Sequence, residues 1–382
     1  MKKMLIINTK YRVLGGEDTN IIDEIEILKK NYNIHYLEYD NSARLNLIDL
    51  VSFFTGTNFK SNQILKNTIK EFQPDIVYFH NLWFKGNLGI LKILNNLNGV
   101  TMIHKIHNFR YLCTISMFTN CQFTINNYCN YCGKSKKKYT LFNKYFEDSY
   151  LKSFFIIRFG KKYRKLIIKS KFDVLVLNQF HKQKLIEFGV SQERIHIYYN
   201  PLPIDESNHY DEKSETVVFA GRFNKNKGIE ELLEAWSSSN FKNYKLILIG
   251  DGNLRLKLQK IYDSKSIIFV GEKSNSDTKN YIKKSRAVLT CSKTHEGQPR
   301  ILSEASSFGI PSIYPSFGGL NEYFPENYEL AFEQYNYIDL IHKLSLITDD
   351  NFMKNISDKV YKHTSEILGS EEMLNKFESL TG

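Results

Sequence analysis

The chain lacks long hydrophobic runs. No apolar stretch in its 382 residues approaches the roughly 20 that a membrane-spanning helix needs. The first eight residues imitate a signal peptide, but their apolar run is too short for one and fits a first strand better. No internal repeat or low-complexity segment stands out either. We therefore expect a globular protein that stays in the cytosol.

The pattern of elements predicts an α/β fold with two domains, because a chain of this length exceeds one ordinary core. Short apolar runs alternate with helical patterns, which is typical of a parallel sheet with helices on both faces. The pattern halts near Asn200-Pro201-Leu202-Pro203 and restarts at Thr216. We predict doubly wound, Rossmann-like domains over 1–200 and 201–365, facing each other across a cleft at the carboxyl ends of their strands. A last helical stretch, 366–382, is expected to pack back on the first domain.

Ten apolar runs are predicted to form the strands of these domains. They are Met4–Asn8, Ile34–Leu37, Ile76–Phe79, Val100–Lys105, Val174–Leu177, Val217–Ala220, Leu246–Ile249, Ile267–Val270, Ala287–Thr290 and Ser312–Tyr314.

The positive charge is concentrated in one segment. Residues 134–171 contain thirteen lysines and arginines but only Glu147 and Asp148, so they carry the whole formal net charge of +11. The basic residues alternate with tyrosines and phenylalanines. Three interpretations stay open: a solvated helical hairpin with a structural or acceptor-facing role, a surface that docks on anionic lipids, or a nucleic-acid contact. No nucleic-acid-binding motif accompanies the segment, and we expect no nucleic-acid partner.

Two cations follow a predicted strand of the second domain. Arg222 and Lys227 lie in a polar loop that ends at Gly228, before a predicted helix over Ile229–Ser237. A surface turn with two solvated cations would show the same pattern. No Asp-x-Asp, the usual metal-chelating motif for a sugar diphosphate, occurs in the chain. Two fixed cations could neutralise a departing diphosphate in place of a metal, so we expect no cofactor for catalysis.

Two glutamates eight residues apart strengthen the diphosphate interpretation. Pro299 suits the first turn of a helix, so Glu296 precedes that helix and Glu304 lies inside it. The backbone at Gly297 then offers N–H groups and the positive end of the helix dipole to a phosphate. The loop Gly318-Gly319 follows the next strand. Cations, a helix N-terminus and two carboxylates in this order suit a diphosphate with a polyol at each end, which describes a nucleotide-sugar.

The chain resembles the retaining glycosyltransferases of family 4, which have the GT-B fold. In the C-terminal half the resemblance rests on Gly221–Gly228, Gly250-Asp251-Gly252, Phe269-Val270-Gly271, Glu296–Ala305, Gly309-Ile310-Pro311 and Gly318–Glu322. In the N-terminal half, three segments resemble the branch of that family that builds cell-surface polysaccharides: Gly15–Asp18, Val77–Asn81 and Ile106–Cys113. The resemblance covers nearly the whole chain.

The resemblance implies roles for the matched residues of the second domain. Arg222 and Lys227 would hold the donor diphosphate, Glu304 the ribose, and Glu296 the transferred hexose. Gln298 departs from the family pattern, because that position is often hydrophobic or aromatic, and this leaves the donor open.

The resemblance also implies roles in the first domain. His107 matches the family histidine near the anomeric carbon, which positions the sugar and stabilises an oxocarbenium-like transition state without acting as a nucleophile. Gly16 would let the backbone approach the donor or acceptor closely. His80, Asn81 and Asn108 would lie on the acceptor side.

Four of the five cysteines cluster within twenty residues. Cys113, Cys121, Cys129 and Cys132 end in a Cys-x-x-Cys pair, which suits a tetrahedral structural zinc site. Four free thiols in a hydrophobic loop are the alternative, since a cytosolic setting disfavours disulfides.

These features and the resemblance together predict a retaining hexosyltransferase. It would move a sugar from a UDP- or GDP-linked donor to a lipid-linked surface glycan, in the cytosol and peripherally on the inner membrane face. Two other functions share these features: a nucleotide-sugar epimerase of similar fold, and a non-catalytic glycan- or nucleic-acid-binding protein. The Gly15-Gly16 loop with His107 favours transfer over epimerisation, and the cations and glutamates of the second domain argue against a pure binder.

Overall fold

The computed structural model describes two units of the chain. The described residues are 1–11, 15–41, 51–52, 54–109, 149–204, 207–239, 241 and 243–381. The first unit comprises Met1–Asn200 together with Leu374–Gly382, and the second comprises Pro201–Met373.

The first unit is built on a parallel sheet in which six strands are described. They are β1 (Lys2–Lys10), β2 (Tyr32–Asp40), β3 (Ile76–Phe79), β4 (Thr101–Ile106), β5 (Asp173–Val176) and β6 (Ile195–Ile197). Their order is β2-β1-β3-β4-β5-β6, and every neighbouring pair is parallel. The central strand β3 is buried along its full length, as expected where helices cover both faces of a sheet.

Helices connect these strands, and several begin at a side-chain cap. The described helices are α1 (Gly16–Leu28), α2 (Phe59–Phe72), α3 (Gly89–Leu94), α4 (Tyr150–Lys169) and α5 (Gln179–Glu187). Asn58, Ser149 and Asn178 each accept a hydrogen bond from the backbone N–H three residues later. Such caps satisfy N–H groups that have no partner within the helix, so the sequence fixes where α2, α4 and α5 begin.

The second unit repeats the architecture with its own parallel sheet. Its described strands are β7 (Thr216–Ala220), β8 (Lys245–Ile249), β9 (Ile267–Gly271), β10 (Ala287–Leu289), β11 (Ser312–Ser316) and β12 (Ala331–Glu333). Their order is β12-β11-β10-β7-β8-β9. The described helices are α6 (Ile229–Ser238), α7 (Arg255–Tyr262), α8 (Asn275–Lys283), α9 (Arg300–Ser307), α10 (Tyr337–Leu346) and α11 (Asp350–Leu368).

The last helix, α12 (Ser370–Thr381), returns the chain to the first unit. The buried ring of Phe377 lies among three aromatic rings there, with centroid distances of 5.9 Å to Tyr32, 5.0 Å to Tyr78 and 5.6 Å to Tyr198. This aromatic cluster anchors the C-terminal end of the chain beside β2 and β3.

The predicted α/β fold with two Rossmann-like sheets is confirmed. All ten predicted strands are present, with ends that differ by up to three residues. The strands β6 and β12 were not predicted, because each has only three residues of which one is polar, so neither forms an apolar run. Both lie at the edges of their sheets.

Glycine is required at position 228 by close packing. Gly228 has a φ of +63°, and a Cβ atom added there would lie 2.1 Å from the carbonyl oxygen of Cys291. Gly99 provides a comparison, because its φ is +73° but nothing lies within 4 Å of an added Cβ atom. An alanine substitution at Gly99 therefore introduces backbone strain alone, whereas one at Gly228 introduces both strain and steric overlap.

We expect Gly228→Ala to lower the free energy of unfolding by at least about 2 kcal/mol, because strain and overlap act together. Gly99→Ala should lower it by about 1 kcal/mol through strain alone. Denaturant unfolding of both variants measures the difference. Equal losses would show that the loop after β7 moves away from Cys291 at little cost.

Candidate functional site

The loop after β7 presents the two predicted cations. Its last turn, Lys225–Lys227, is capped by the side chain of Asn224, which accepts from the backbone N–H of Asn226 (3.1 Å) and Lys227 (3.2 Å). Lys293 N donates to Asn226 O at 2.8 Å, and this bond joins the loop to the one after β10. The structure therefore brings two loops together at the carboxyl ends of neighbouring strands.

The two predicted cations have different surroundings. Arg222 is exposed, and its side chain forms no ion pair with any described residue. Lys227 is half-buried, and its Nζ atom forms a short ion pair with Glu296 Oε1. Arg222 is thus available to an anion, whereas an anion that binds Lys227 has to compete with a carboxylate.

Glu296 is held in the ionised form. Burial raises the pKa of this carboxyl, but the Lys227 ammonium and hydrogen bonds from Ser292 and Thr294 outweigh it, so the pKa lies below its usual value. Ser292 Oγ donates to Glu296 Oε1 at 2.7 Å. Neither Ser292 nor Thr294 was predicted, although both lie within four residues of the glutamate.

Glu304 lies inside α9, with only 4% of its surface exposed. Arg300 Nε donates to its Oε1 atom at 2.7 Å, and Lys279 Nζ of α8 lies 3.6 Å from the same oxygen. The carboxylate borders a cavity of about 260 Å³ lined mainly by α8 and α9. Arg300 could have been found from its i,i+4 spacing to Glu304, whereas no sequence signal points to Lys279.

Helix α9 begins one residue later than predicted, because Pro299 is its N-cap and not part of its first turn. Glu296 precedes the helix and Glu304 lies inside it, as the sequence predicts. Tyr323 OH donates to Gly297 O at 2.9 Å, so the turn after β11 holds the segment between the two glutamates. The buried Gln298 donates from Nε2 to Ser303 Oγ at 3.3 Å. Part of this amide's hydrogen-bonding capacity is thus used within the unit.

In the first unit, the start of α1 meets the loop after β4. Gly15 precedes the helix and Gly16 is its first residue. Glu17 Oε2 accepts hydrogen bonds from Tyr11 OH (3.1 Å) and Asn108 Nδ2 (3.2 Å). Asn108 therefore links the carboxyl end of β4 to the N-terminus of α1, and Glu17 is a site residue that sequence reasoning missed.

His80 and His107 form a pair at the carboxyl ends of β3 and β4. His80 Nδ1 and His107 Nε2 are 2.9 Å apart and share a hydrogen bond. Burial, followed by the nearby Lys105 charge, holds the pKa of both rings well below the usual value, so both are neutral at neutral pH. His107 Nδ1 is buried and has no hydrogen-bond partner among the described residues. With Glu17 and Asn108, the pair lines one small cavity.

Asn81 has a structural position beside this pair. Its Nδ2 atom donates to Thr9 O at 2.7 Å, and its Oδ1 atom accepts from Trp83 N at 3.0 Å. The side chain thus fastens the loop after β3 to the end of β1. This geometry gives Asn81 a positioning role, while its predicted contact with an acceptor stays a prediction.

A buried ion pair lies next to the histidines. Lys105 Nζ is 2.9 Å from Glu24 Oε2, and both side chains are almost fully buried. Tyr78 OH donates to the other Glu24 oxygen at 2.6 Å, and Lys105 Nζ lies 4.5 Å from the ring centre of Tyr198. The charge of Lys105 disfavours protonation nearby and so helps to keep His80 and His107 neutral.

Four buried histidines of the first unit should make the stability depend on pH. Burial lowers the pKa of His104 and His181 to about 3, and that of His80 and His107 also lies well below the usual value of about 6.5. The unfolded chain gains protons below pH 6.5 that the folded chain does not bind. Stability is therefore complete above pH 6.5 and decreases as the pH falls below it.

We expect each such histidine to lower the free energy of unfolding by up to about 1.4 kcal/mol per pH unit below that value. Denaturant unfolding between pH 8 and pH 5 measures the slope. The variant His104→Gln should lack this histidine's contribution to the slope of unfolding free energy against pH, because glutamine does not titrate. An unchanged slope would contradict the low pKa of His104.

The predicted zinc ligands Cys113, Cys121, Cys129 and Cys132 lie outside the described residues, so the zinc site stays a prediction. Within the described ranges, no group of three or more histidine, cysteine, aspartate or glutamate side chains is placed to hold a metal ion. No helix in the described part of the chain is both long and apolar enough to cross a membrane.

The two parallel sheets with their helices define a protein of the GT-B fold class. Two solved structures with this fold match almost the whole chain. The lipopolysaccharide outer core galactosyltransferase WaaB superposes with a TM-score of 0.63 and 16% identity, over 99% of this chain and 98% of that one. Anabaena Alr3699/HepE in complex with UDP-glucose superposes with a TM-score of 0.68 and 13% identity, over 98% of each chain.

Sequence comparisons agree with the fold. Residues 203–363 match the family model described as glycosyl transferases group 1. The chain is 24% identical over 219 residues to the amylovoran biosynthesis glycosyltransferase AmsD of Erwinia amylovora, covering 54% of this chain and 61% of that protein. It is 30% identical over 177 residues to a GalNAc-alpha-(1->4)-GalNAc-alpha-(1->3)-diNAcBac-PP-undecaprenol alpha-1,4-N-acetyl-D-galactosaminyltransferase of Campylobacter jejuni, covering 43% and 48%.

The chain spans about half the length of the curated relatives that it matches. The predicted resemblance to GT-B glycosyltransferases of surface-polysaccharide synthesis is confirmed by these matches.

Proposed function

We propose that this chain is a glycosyltransferase that transfers a hexose with retention from a nucleotide-sugar to a lipid-linked surface glycan. The observation that carries the proposal is the ion pair of Lys227 with Glu296 at the carboxyl ends of β7 and β10. It brings a cation for a diphosphate and a carboxylate for a sugar into direct contact. The match of residues 203–363 to glycosyl transferases group 1 supports this use of the second unit.

On this proposal, the ion pair responds to the donor. The diphosphate binds Arg222 and Lys227 and competes with Glu296 for the Lys227 ammonium. Glu296 then accepts hydrogen bonds from hydroxyls of the transferred sugar. The backbone at Gly297 and the N-terminus of α9 face the phosphates, and Glu304 accepts from the ribose. UDP-glucose in the HepE structure is consistent with a uridine donor.

The first unit supplies the groups for the acceptor and the reacting carbon. His107 keeps a neutral ring whose Nδ1 atom has no hydrogen-bond partner among the described residues and bonds a sugar hydroxyl, while His80 fixes the orientation of the ring. On this proposal the ligand approaches the backbone of Gly16, the first residue of α1, and Glu17 with Asn108 faces the acceptor. The Campylobacter relative carries PP-undecaprenol in the name of its acceptor, which favours a lipid-linked acceptor here.

The proposed reaction balances without a further reactant. The acceptor hydroxyl attacks the anomeric carbon from the face that the diphosphate leaves, so configuration is retained. The bond from that carbon to the phosphate oxygen breaks, and a bond to the acceptor oxygen forms. The hydroxyl proton passes to the departing phosphate, whose remaining charge is neutralised by Arg222 and Lys227.

A nucleotide panel followed by a transfer assay tests the proposal. Thermal unfolding is measured with UDP, GDP, ADP, CMP and their common sugar conjugates. We expect one nucleotide to stabilise the chain, by about 2.7 kcal/mol at 100 times its dissociation constant. Its sugar conjugate is then incubated with and without a polyprenyl-diphosphate-linked glycan.

Transfer should require the lipid-linked glycan, and the anomeric configuration of the product reports on retention. Altered free sugar released without an acceptor would favour an epimerase. A folded sample that no nucleotide stabilises would contradict the proposal and favour a binding protein.

A further inference from the structure

Helix α4 has one exposed face that is apolar at its start and basic along the rest. Residues 151, 154, 158, 161 and 165 recur at intervals of three and four and therefore share this face. Leu151 is 65% exposed and Phe154 43% exposed, and both precede the exposed residues Arg158, Lys161 and Lys165. The opposite face of α4 is buried in the first unit, so this amphipathic helix already has its packing partner.

A short helical segment much earlier in the chain, which includes Val51 and Phe54, extends the apolar surface. The ring of Phe54 lies 5.0 Å from that of Phe155, and the Arg158 guanidinium lies 5.3 Å from the Phe54 ring centre. Lys162 Nζ donates to Thr55 O, which fastens this segment to α4. We define the docking face as Val51, Phe54, Leu151, Phe154, Arg158, Lys161 and Lys165. Val51 is 61% exposed and Phe54 45% exposed.

The positive charge of this face has no balancing carboxylate among the residues that the structure describes. Helix α4 contains seven lysines and arginines among its 20 residues and no aspartate or glutamate. Arg158, Lys161, Lys162 and Lys165 form no ion pair with a described carboxylate. The cations Lys92 and Arg158 are close enough to Lys162 to disfavour its charged form further, after burial. Such a cluster is stabilised when an anionic partner binds.

We propose that the docking face binds a membrane surface that contains anionic phospholipids. The four apolar side chains enter the boundary of the acyl chains, and the cations contact headgroup phosphates. Two other partners fit this face less well. A second copy of the chain that docks through the same face would bring like charges together. A nucleic acid would bind the cations but gain little from the aliphatic side chains of Val51 and Leu151. The inference rests on the proposed function in one respect, which is that a lipid-linked acceptor lies at a membrane.

Vesicle sedimentation tests this docking face. The wild-type protein is mixed with vesicles of phosphatidylcholine alone, or with vesicles that also contain about 30% phosphatidylglycerol. The second kind has the negative surface charge that attracts basic segments. We expect binding to the anionic vesicles only. The double variant Leu151→Ser/Phe154→Ser should weaken binding at least about tenfold. The double variant Arg158→Gln/Lys161→Gln should weaken it about 30-fold, and added salt should have the same direction of effect.

Matched controls replace exposed residues elsewhere. Ile22→Ser removes an exposed aliphatic side chain of α1, and Lys260→Gln/Lys354→Gln removes two exposed cations of the second unit. Both controls should bind vesicles as wild type does. All variants should keep the nucleotide-induced thermal shift, which tests the proposed function separately from docking.

Three results would overturn the proposal. The first is a wild type that does not bind anionic vesicles, and the second is equal binding by the docking-face and control variants. The third is loss of DNA binding or of self-association in the docking-face variants, with vesicle binding unchanged, since the face would then serve a nucleic acid or a second copy.

Discussion

Lys227→Ala is expected to lower kcat/KM for sugar transfer about a thousandfold. Removing a single fixed donor from a charge-stabilising site costs about 100- to 1000-fold, and a cation on a doubly charged leaving group should reach the upper end. The same change removes the partner of Glu296. A carboxylate that is left partly buried without its cation would be a poorer hydrogen-bond acceptor for the sugar, because burial raises its pKa.

Lys225→Ala is the matched control, because Lys225 lies in the same turn and is exposed. We expect its kcat/KM to stay within about threefold of wild type, since a solvated surface charge contributes little. Steady-state kinetics of both variants, with thermal unfolding as a check of the fold, distinguish the two lysines. Full activity of Lys227→Ala would contradict the proposal that Lys227 binds the donor diphosphate.

The clustering of the candidate donor residues could be predicted from sequence because they lie in a few local segments. Arg222 and Lys227 share one loop, and a parallel sheet brings the carboxyl ends of its strands to one edge. Glu296 and Glu304 flank one helix start, which Pro299 marks. The sequence could not show that Lys227 binds Glu296, because 69 residues separate them and only the order of β7 beside β10 brings them together.

The first unit shows why the remaining residues escaped prediction. Glu24 and Lys105 are 81 residues apart and lie on different elements, so neither has a spacing that marks an ion pair. Glu17 looks like an ordinary acidic residue of a first helical turn until Asn108 reaches it. Periodicity reports which face of an element is apolar, but it does not report which elements become neighbours.

The apolar part of the docking face also depends on which elements become neighbours in the fold. The sequence located the basic aromatic segment 134–171, and its described part, from residue 149 onward, includes α4. The contribution of Val51 and Phe54 depends on a tertiary contact with Phe155. Whether an apolar side chain is exposed depends on the folded chain, so the sequence around Val51 and Phe54 did not indicate that these side chains are exposed.

His107→Gln is expected to lower kcat for transfer about 100- to 1000-fold while KM for the donor changes little. On the proposed function the ring acts near the reacting carbon, where charge develops only in the transition state, so its loss should affect kcat more than ground-state binding. His35→Gln is the matched control, because His35 is an exposed histidine of the same unit. It should retain wild-type kinetics. An unchanged kcat in His107→Gln would show that His107 has only a structural role.

The pH dependence separates a catalytic His107 from one that only holds the loop. The pKa of His107 lies well below its usual value because of burial and Lys105, so the neutral ring persists as the pH falls through 6.5. Wild-type kcat should therefore show no loss with an apparent pKa near 6.5. Lys105→Met removes one source of the low pKa, so its activity should begin to fall at a higher pH than wild type. A wild-type profile that already decreases near pH 6.5 would contradict a neutral histidine, because protonation of His107 would then lie within the working range.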